Sequence, residues 1–230
     1  MIDFIKRFVL NQNSLIRLIA FFYFLCLVIS FRYIIRGKKN SISIKKDVIF
    51  KNCCIKVIGN NNRIVVGAKS RFRNLFIQIS GSNNTLFLSN SIVFYEGGRI
   101  EMIGDNSIIE VGERCTFGST DIFTGEGSTS INIGANCMFS RNIGMNTSDF
   151  HSIIDLNTNY RINLPKDILI GNHVWVGNSV FISKGAVIGN NSVIAQKALV
   201  PGKFFENNSL IAGLPAKTIK SNVSWTRQKL

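Results

Sequence analysis

A six-residue rhythm between residues 170 and 200 constrains this chain more than any other feature. Units open on Ile170, Val176, Ile182, Ile188 and Ile194, and a sixth begins at Val200. Two places before each following aliphatic residue stands a small or β-branched one: Val174, Val180, Ala186, Ser192 or Ala198. On a strand with period 2 both members of such a pair point to one side, and Trp175 or Phe181 between them points out. Gly171, Gly177 and Gly189 hold the second position, Gly171 and Gly177 each followed by Asn and Gly189 by Asn190 and Asn191. Both residue types suit corners because they tolerate positive φ at small steric cost. Short strands joined by tight corners at a fixed period predict a parallel β-helix whose rungs stack over one continuous core. An α-helix competes poorly, since the recurring Gly and Asn would weaken every turn.

The expected fold class is therefore all-β, and the chain divides into five stretches. Residues 170–213 form the regular hexapeptide part. Residues 41–145 repeat its logic less strictly, with Gly59, Gly67, Gly104, Gly112 and Gly134 each following an aliphatic residue, and are expected to form irregular coils. Their large aromatic residues imply that these coils are wider or cap an end. Residues 146–169 interrupt the register; an insertion of that size in a repeat fold leaves one corner as a loop, and such loops are usually functional. Residues 1–40 read as a hydrophobic and basic N-terminal helical segment, and residues 214–230 as a C-terminal tail.

Within the N-terminal segment an apolar run covers residues 18–31, shorter than the ~20 residues that span a bilayer comfortably. Lys6, Arg7 and Arg17 precede it and Arg32, Arg36, Lys38 and Lys39 follow, so charge gives no orientation. No small-residue cleavage site follows the run. Two readings stay open: a helix lying on an anionic leaflet, or one packed on protein.

The chain carries 27 Lys and Arg against 13 Asp and Glu, a net charge of +14, which calls for an acidic partner. No zinc-finger spacing, RNA-binding aromatic signature or helix-turn-helix pattern accompanies it, which argues against nucleic acid. Its five cysteines, Cys26, Cys53, Cys54, Cys115 and Cys137, are odd in number and unpaired in spacing. They fit small core or corner positions in a reducing, cytoplasmic setting.

The hexapeptide units resemble those of the acyltransferases with a left-handed β-helix. Three further stretches sharpen the likeness: residues 148–155, reading Ser-Asp-Phe-His-Ser-Ile-Ile-Asp; residues 161–163, reading Arg-Ile-Asn; and residues 211–217, reading Ile-Ala-Gly-Leu-Pro-Ala-Lys. With residues 170–177 these are similar to the capsular-polysaccharide and polysialic acid O-acetyltransferases of bacteria. The resemblance implies a homotrimer with acetyl-CoA as donor, a polysaccharide or sugar acceptor, and sites lying between subunits. By matching position His151 is the general base and Trp175 lines the acetyl-CoA site. Gly177, Lys184, Ala195 and Lys217 complete the expected donor site, the lysines toward phosphate and Ala195 where the pantetheine arm passes.

That chemistry makes sense on its own terms. Imidazole titrates near neutrality and suits removal of a proton from a sugar hydroxyl as its oxygen attacks a thioester. Asp149 or Asp155, with a slight preference for Asp155, would fix the tautomer of His151. A backbone N–H around Trp175 and Gly177, or the indole N–H, would meet the developing oxyanion. Arg161 is a candidate fork for an acidic sugar, whereas His173 reads as a structural corner residue. With two histidines and no ligand spacing among the cysteines, no metal is expected. The competing functions are acetylation of a small acceptor, such as a sugar nucleotide or antibiotic, and a non-catalytic β-helix scaffold.

Overall fold

The computed structural model describes residues 31–229, and every regular element in it is a β-strand. Successive strands fall in turn on three faces that meet at three corners. On the first face Met138–Phe139 pairs with Trp175–Val176 and that strand with Val193–Ile194; on the second Ile143–Asn146 pairs with Phe181–Ile182; on the third Ile168–Ile170 pairs with Val187–Ile188. All of these ladders are parallel, so the chain is a parallel β-solenoid.

The apolar alternation foreseen for the hexapeptide units holds. Val174, Val176, Val180, Ile182, Ala186, Ile188, Ile194, Ala198 and Val200 are buried, while Trp175 and Phe181 are exposed. The glycines, however, serve a different purpose from the one expected. Positive φ falls two places later, at His173, Ser179, Gly185, Asn191 and Lys197, not at Gly171, Gly177 or Gly189. A Cβ on Gly177 would lie 2.6 Å from the backbone nitrogen of Gln196 in the next coil. Close stacking of coils, rather than turn conformation, excludes a side chain there.

Two expectations need correction. Phe31–Arg36, assigned to the helical segment, is a strand in parallel register with Cys53–Ile58, so the solenoid begins ahead of residue 41. Residues 1–30 of that segment, including nearly all of the apolar run, lie outside the described residues. Among the described residues no helix is long and apolar enough to cross a membrane. Nor are the early coils irregular. Their partners stand 22 or 23 residues apart, as in Cys54↔Phe76 and Leu75↔Gly98, against 18 in Trp175↔Val193. They are wider, as their aromatic residues implied. Phe204–Phe205 is a further strand of the third face, paired with Val187–Ile188.

The extra width is filled by columns of like side chains. Phe31, Phe50, Phe72, Phe94, Phe117 and Phe139 stack along the inside with ring centroids 4.2–6.0 Å apart. At one corner Asn62 Nδ2 donates to Asn40 Oδ1 at 3.1 Å, and Asn84 Nδ2 to Asn62 Oδ1 at 3.1 Å. Each Asn also satisfies backbone groups of adjacent coils, which is what permits Asn62 and Asn84 to be buried. Cys115 and Cys137 occupy another corner, where Cys137 N donates to Cys115 Sγ at 3.4 Å. The Cys137 sulfur and then burial push the Cys115 thiol up from its ordinary value, as expected of a corner residue without reactive character.

The tail turns back on the solenoid. Ala216–Lys220 pairs antiparallel with Leu210–Gly213, and Val223 N donates to Asn208 O at 2.9 Å. Farther on, Arg227 Nη1 donates to Thr116 Oγ1 at 3.0 Å, several coils away.

Candidate functional site

The insertion leaves the solenoid after Ile143–Asn146 and returns at Ile168–Ile170, so it stands at the corner where the second and third faces meet. Its tip is a hairpin: Ile154 and Arg161 form an antiparallel bridge, Ile162 N donates to Ile153 O at 2.9 Å, and Asp155 N to Tyr160 O at 2.9 Å. Asp155 Oδ1 accepts from Asn157 N at 2.8 Å and Thr158 N at 3.1 Å, a local turn that explains the residue's presence. Those two N–H groups hold its carboxyl below the usual range. Asp155 is thus occupied with the hairpin turn and not with His151, against the sequence preference.

The stem is braced by a polar network. Asn163, almost fully buried, donates from Nδ2 to Asp149 Oδ2 and to His151 O, both at 2.8 Å, and accepts from Ile153 N at 2.7 Å. Lys184 reaches from the solenoid corner to Asp149 Oδ2 at 2.6 Å and Asn163 O at 2.8 Å. Lys184 and then Asn163 lower the Asp149 carboxyl from its ordinary value. Arg161 holds Glu126 bidentately, Nη1 to Oε2 at 2.5 Å and Nη2 to Oε1 at 2.7 Å, while the Ser148 hydroxyl donates to Glu126 Oε1. Arg161 and then Ser148 pull the Glu126 carboxyl down to about 2. Phe150, next to His151, sits at φ 61°, a strained backbone for a bulky residue, with its N–H tied to Ser148 Oγ at 2.8 Å. His151 is exposed, and its ring makes no hydrogen bond among the described residues.

Trp175 belongs to a second group. It lies 39% exposed on the first face, across the prism from the corner that carries the loop. Trp225 of the tail packs beside it at 6.0 Å between centroids, stacks on His173 at 4.4 Å, and donates from Nε1 to His173 O at 2.8 Å. His173 is structural, as expected: it takes the positive-φ corner and pairs Nδ1 with Asn191 Oδ1 at 3.1 Å. The backbone N–H groups of Trp175 and Gly177 are consumed by the ladder, donating to Ser192 O at 2.9 Å and Ile194 O at 2.8 Å. Of the expected oxyanion donors on this rung, only the indole N–H lacks a partner among the described residues. Ala195 lies on the coil after Gly177, its N–H donating to Ile211 O at 2.8 Å, and Lys217 lies on the tail strand, paired with Ala212 of the coil after that.

The structure therefore sorts the predicted residues into two sets. Trp175, Gly177, Ala195 and Lys217 share the first face and its following corner. His151, Asp149, Arg161 and Lys184 share the opposite corner. Lys184, expected on the donor side, is a brace of the loop, and Arg161 is engaged by Glu126 instead of standing free for an acidic sugar. Within one copy, His151 and Trp175 therefore lie on opposite sides of the prism.

Sequence reasoning missed Glu126, Asn163 and Trp225. Glu126 lies 22 residues before Ser148, one wide coil away, so the coil length would have found it. Trp225 carried a weaker signal as one of only two tryptophans. Among the described residues no group of three His, Cys, Asp or Glu could hold a metal ion.

No family model matches the chain. It is 33% identical over 193 residues to the polysialic acid O-acetyltransferase of Neisseria meningitidis, covering 84% of this chain and 88% of that protein. Among solved structures it is similar to the polysialic acid O-acetyltransferase OatWY, with a TM-score of 0.78, 30% identity, and coverage of 87% of this chain and 92% of that one. It is likewise similar to the polySia-specific acetyltransferase NeuO, with a TM-score of 0.75, 29% identity, and coverage of 86% and 90%.

Proposed function

The chain belongs to the polysialic acid O-acetyltransferase family, and from that premise we propose that it uses acetyl-CoA as donor and His151 as general base. It is an acetyltransferase whose acceptor is a sugar of a capsular polysaccharide; the scaffold reading falls away. The neutral imidazole of His151 takes the proton of the acceptor hydroxyl while that oxygen bonds to the thioester carbonyl carbon. The tetrahedral intermediate then collapses, the C–S bond breaks, and the departing sulfur takes the proton back from the imidazolium. The indole N–H of Trp175 is the donor available to the oxyanion on its rung.

The observation that carries this reading is the separation of the two residue sets on opposite sides of one prism. A working site then needs the loop of one copy beside the first face of another, as the trimer of the family resemblance implies. The loop supports such a contact, since Leu156 is 95%, Tyr160 75% and Ile162 62% exposed, and apolar side chains so placed call for a cover. The buried free thiols of Cys53, Cys115 and Cys137 support a reducing, cytoplasmic setting.

The test is acetyl transfer from acetyl-CoA to a panel of capsular glycans, with sialic acid polymers first. His151→Ala should lower turnover by ~10²–10⁴-fold; an unchanged rate removes His151 as base. Mixing is the sharper test. His151→Ala and Trp175→Ala assemblies should each be impaired, and unfolding and reassembling them together should restore roughly a quarter of the wild-type sites, as random threefold pairing requires. Absence of any recovery would mean that both residues serve a site within one copy.

A further inference from the structure

Nearly all of the excess positive charge sits at one end of the solenoid. Residues 31–74, its first two coils, hold twelve Lys and Arg and a single acidic residue, Asp47, whereas residues 75–230 hold twelve against eleven. None of the twelve cations in the first two coils makes an ion pair among the described residues; the salt bridges there all involve residues 96–184. These cations form a collar instead of a stripe. Exposed Arg32, Lys51 and Arg63 stand on the three different faces, and Lys39 and Lys45 at two of the corners between them.

Inside that collar no described residue covers the last layer of the core. Tyr33 and Ile35 continue the inward columns of Ile55 and Val57, which are each 1% exposed, yet Tyr33 is 67% and Ile35 42% exposed. Ile44 does the same beyond Val66. With Phe31 and Ile42 they line an open cleft of about 290 Å³ at the end of the prism.

We infer that this end of the solenoid docks end-on against an anionic membrane surface. An apolar mouth ringed by cations that make no ion pair among the described residues matches a bilayer whose headgroups take the charge and whose acyl boundary takes the centre. A second copy joined end to end would bring a like-charged collar against this one, which repulsion disfavours. A linear polyanion would be served by a stripe along one face and has no use for the apolar centre.

The full-length protein should co-sediment with vesicles of phosphatidylcholine and phosphatidylglycerol and much less with phosphatidylcholine alone. Replacing four collar residues, Lys38→Glu, Lys39→Glu, Lys45→Glu and Lys46→Glu, should lower partitioning to the anionic vesicles by ~10-fold or more, with the thermal midpoint retained. Raising the salt should weaken wild-type binding and leave the variant unaffected. Three outcomes overturn the inference: no binding of the wild type to anionic vesicles, equal binding of the variant, or loss in the variant of retention on an immobilised sialic acid polymer with vesicle binding unchanged. The last would assign the collar to the acceptor. All readouts are independent of acetyl transfer, so they stand whether or not the assignment of His151 survives.

Discussion

The wide coils and the narrow coils of this solenoid are built to different rules. In the wide half, strands such as Leu75–Ser80 run six residues, partners recur at 22 or 23 residues, and the interior admits stacked phenylalanines and a buried asparagine column. In the narrow half, strands such as Trp175–Val176 are two residues long and partners recur at 18. The column that reads Phe94, Phe117 and Phe139 in wide coils continues as Val176, Ile194 and Ile211. Perimeter thus sets the size of the side chain that fits, and the inserted loop leaves at the seam. Its stem is braced from both sides, by Glu126 on the last wide coil and Lys184 on the first narrow one. The comparison teaches that the site belongs to the change of width and not to either repeat alone.

Exchanging the contents of the two halves should break each in its own way. The largest effect is expected for Phe94→Ala, which opens a cavity between Phe72 and Phe117, whose centroids lie 6.0 and 4.4 Å from that of Phe94. A loss of about 3–5 kcal/mol in a denaturant titration is expected. Val176→Phe makes the opposite exchange by extending the aromatic column into the first narrow coil. Overpacking there should cost about 1–3 kcal/mol. A variant as stable as wild type, with its ring stacked on Phe139, would show that perimeter does not limit the narrow core.

How much of this was legible depends on where each signal resides. The narrow half could be read directly, because six residues per face leave an aliphatic mark at each sixth place, from Ile170 to Val200. The wide half hid its order because a repeat of 22 or 23 residues is not a multiple of six, and the corners at Gly59, Gly104 and Gly134 therefore looked irregular. Its one clear clue was aromatic size, which correctly implied width. The loop announced itself by interrupting the rhythm, and His151 stood out as one of two histidines. What spacing could not disclose was direction. Residues close in sequence, such as Asp155, turned out to serve their own turn, and residues 24 apart, His151 and Trp175, lie across the prism. The partner of Arg161 was likewise invisible, because Glu126 lies 35 residues away and becomes a neighbour only through the wide coil.

That last pair gives the smallest expected effect and a test of whether the seam is held from the wide side. Glu126 has its folded value at about 2 against an ordinary 4.5, through Arg161 first and Ser148 second. A carboxyl depressed on folding stabilises fully above its unfolded value, and the stabilisation is lost as pH falls through the folded one. The window is therefore pH 4.5 down to about 2. Both side chains keep roughly a quarter of their surface in solvent, 24% and 23%, so the contribution should be about 1 kcal/mol or less. Wild type and Glu126→Gln should differ most in thermal midpoint above pH 4.5 and converge toward pH 2, and protease cleavage within residues 153–162 should follow the same profile. A constant difference across that range would mean that Glu126 braces the loop by shape and hydrogen bonding alone, leaving Lys184 and Asp149 as the only charged tie to the loop among the described residues.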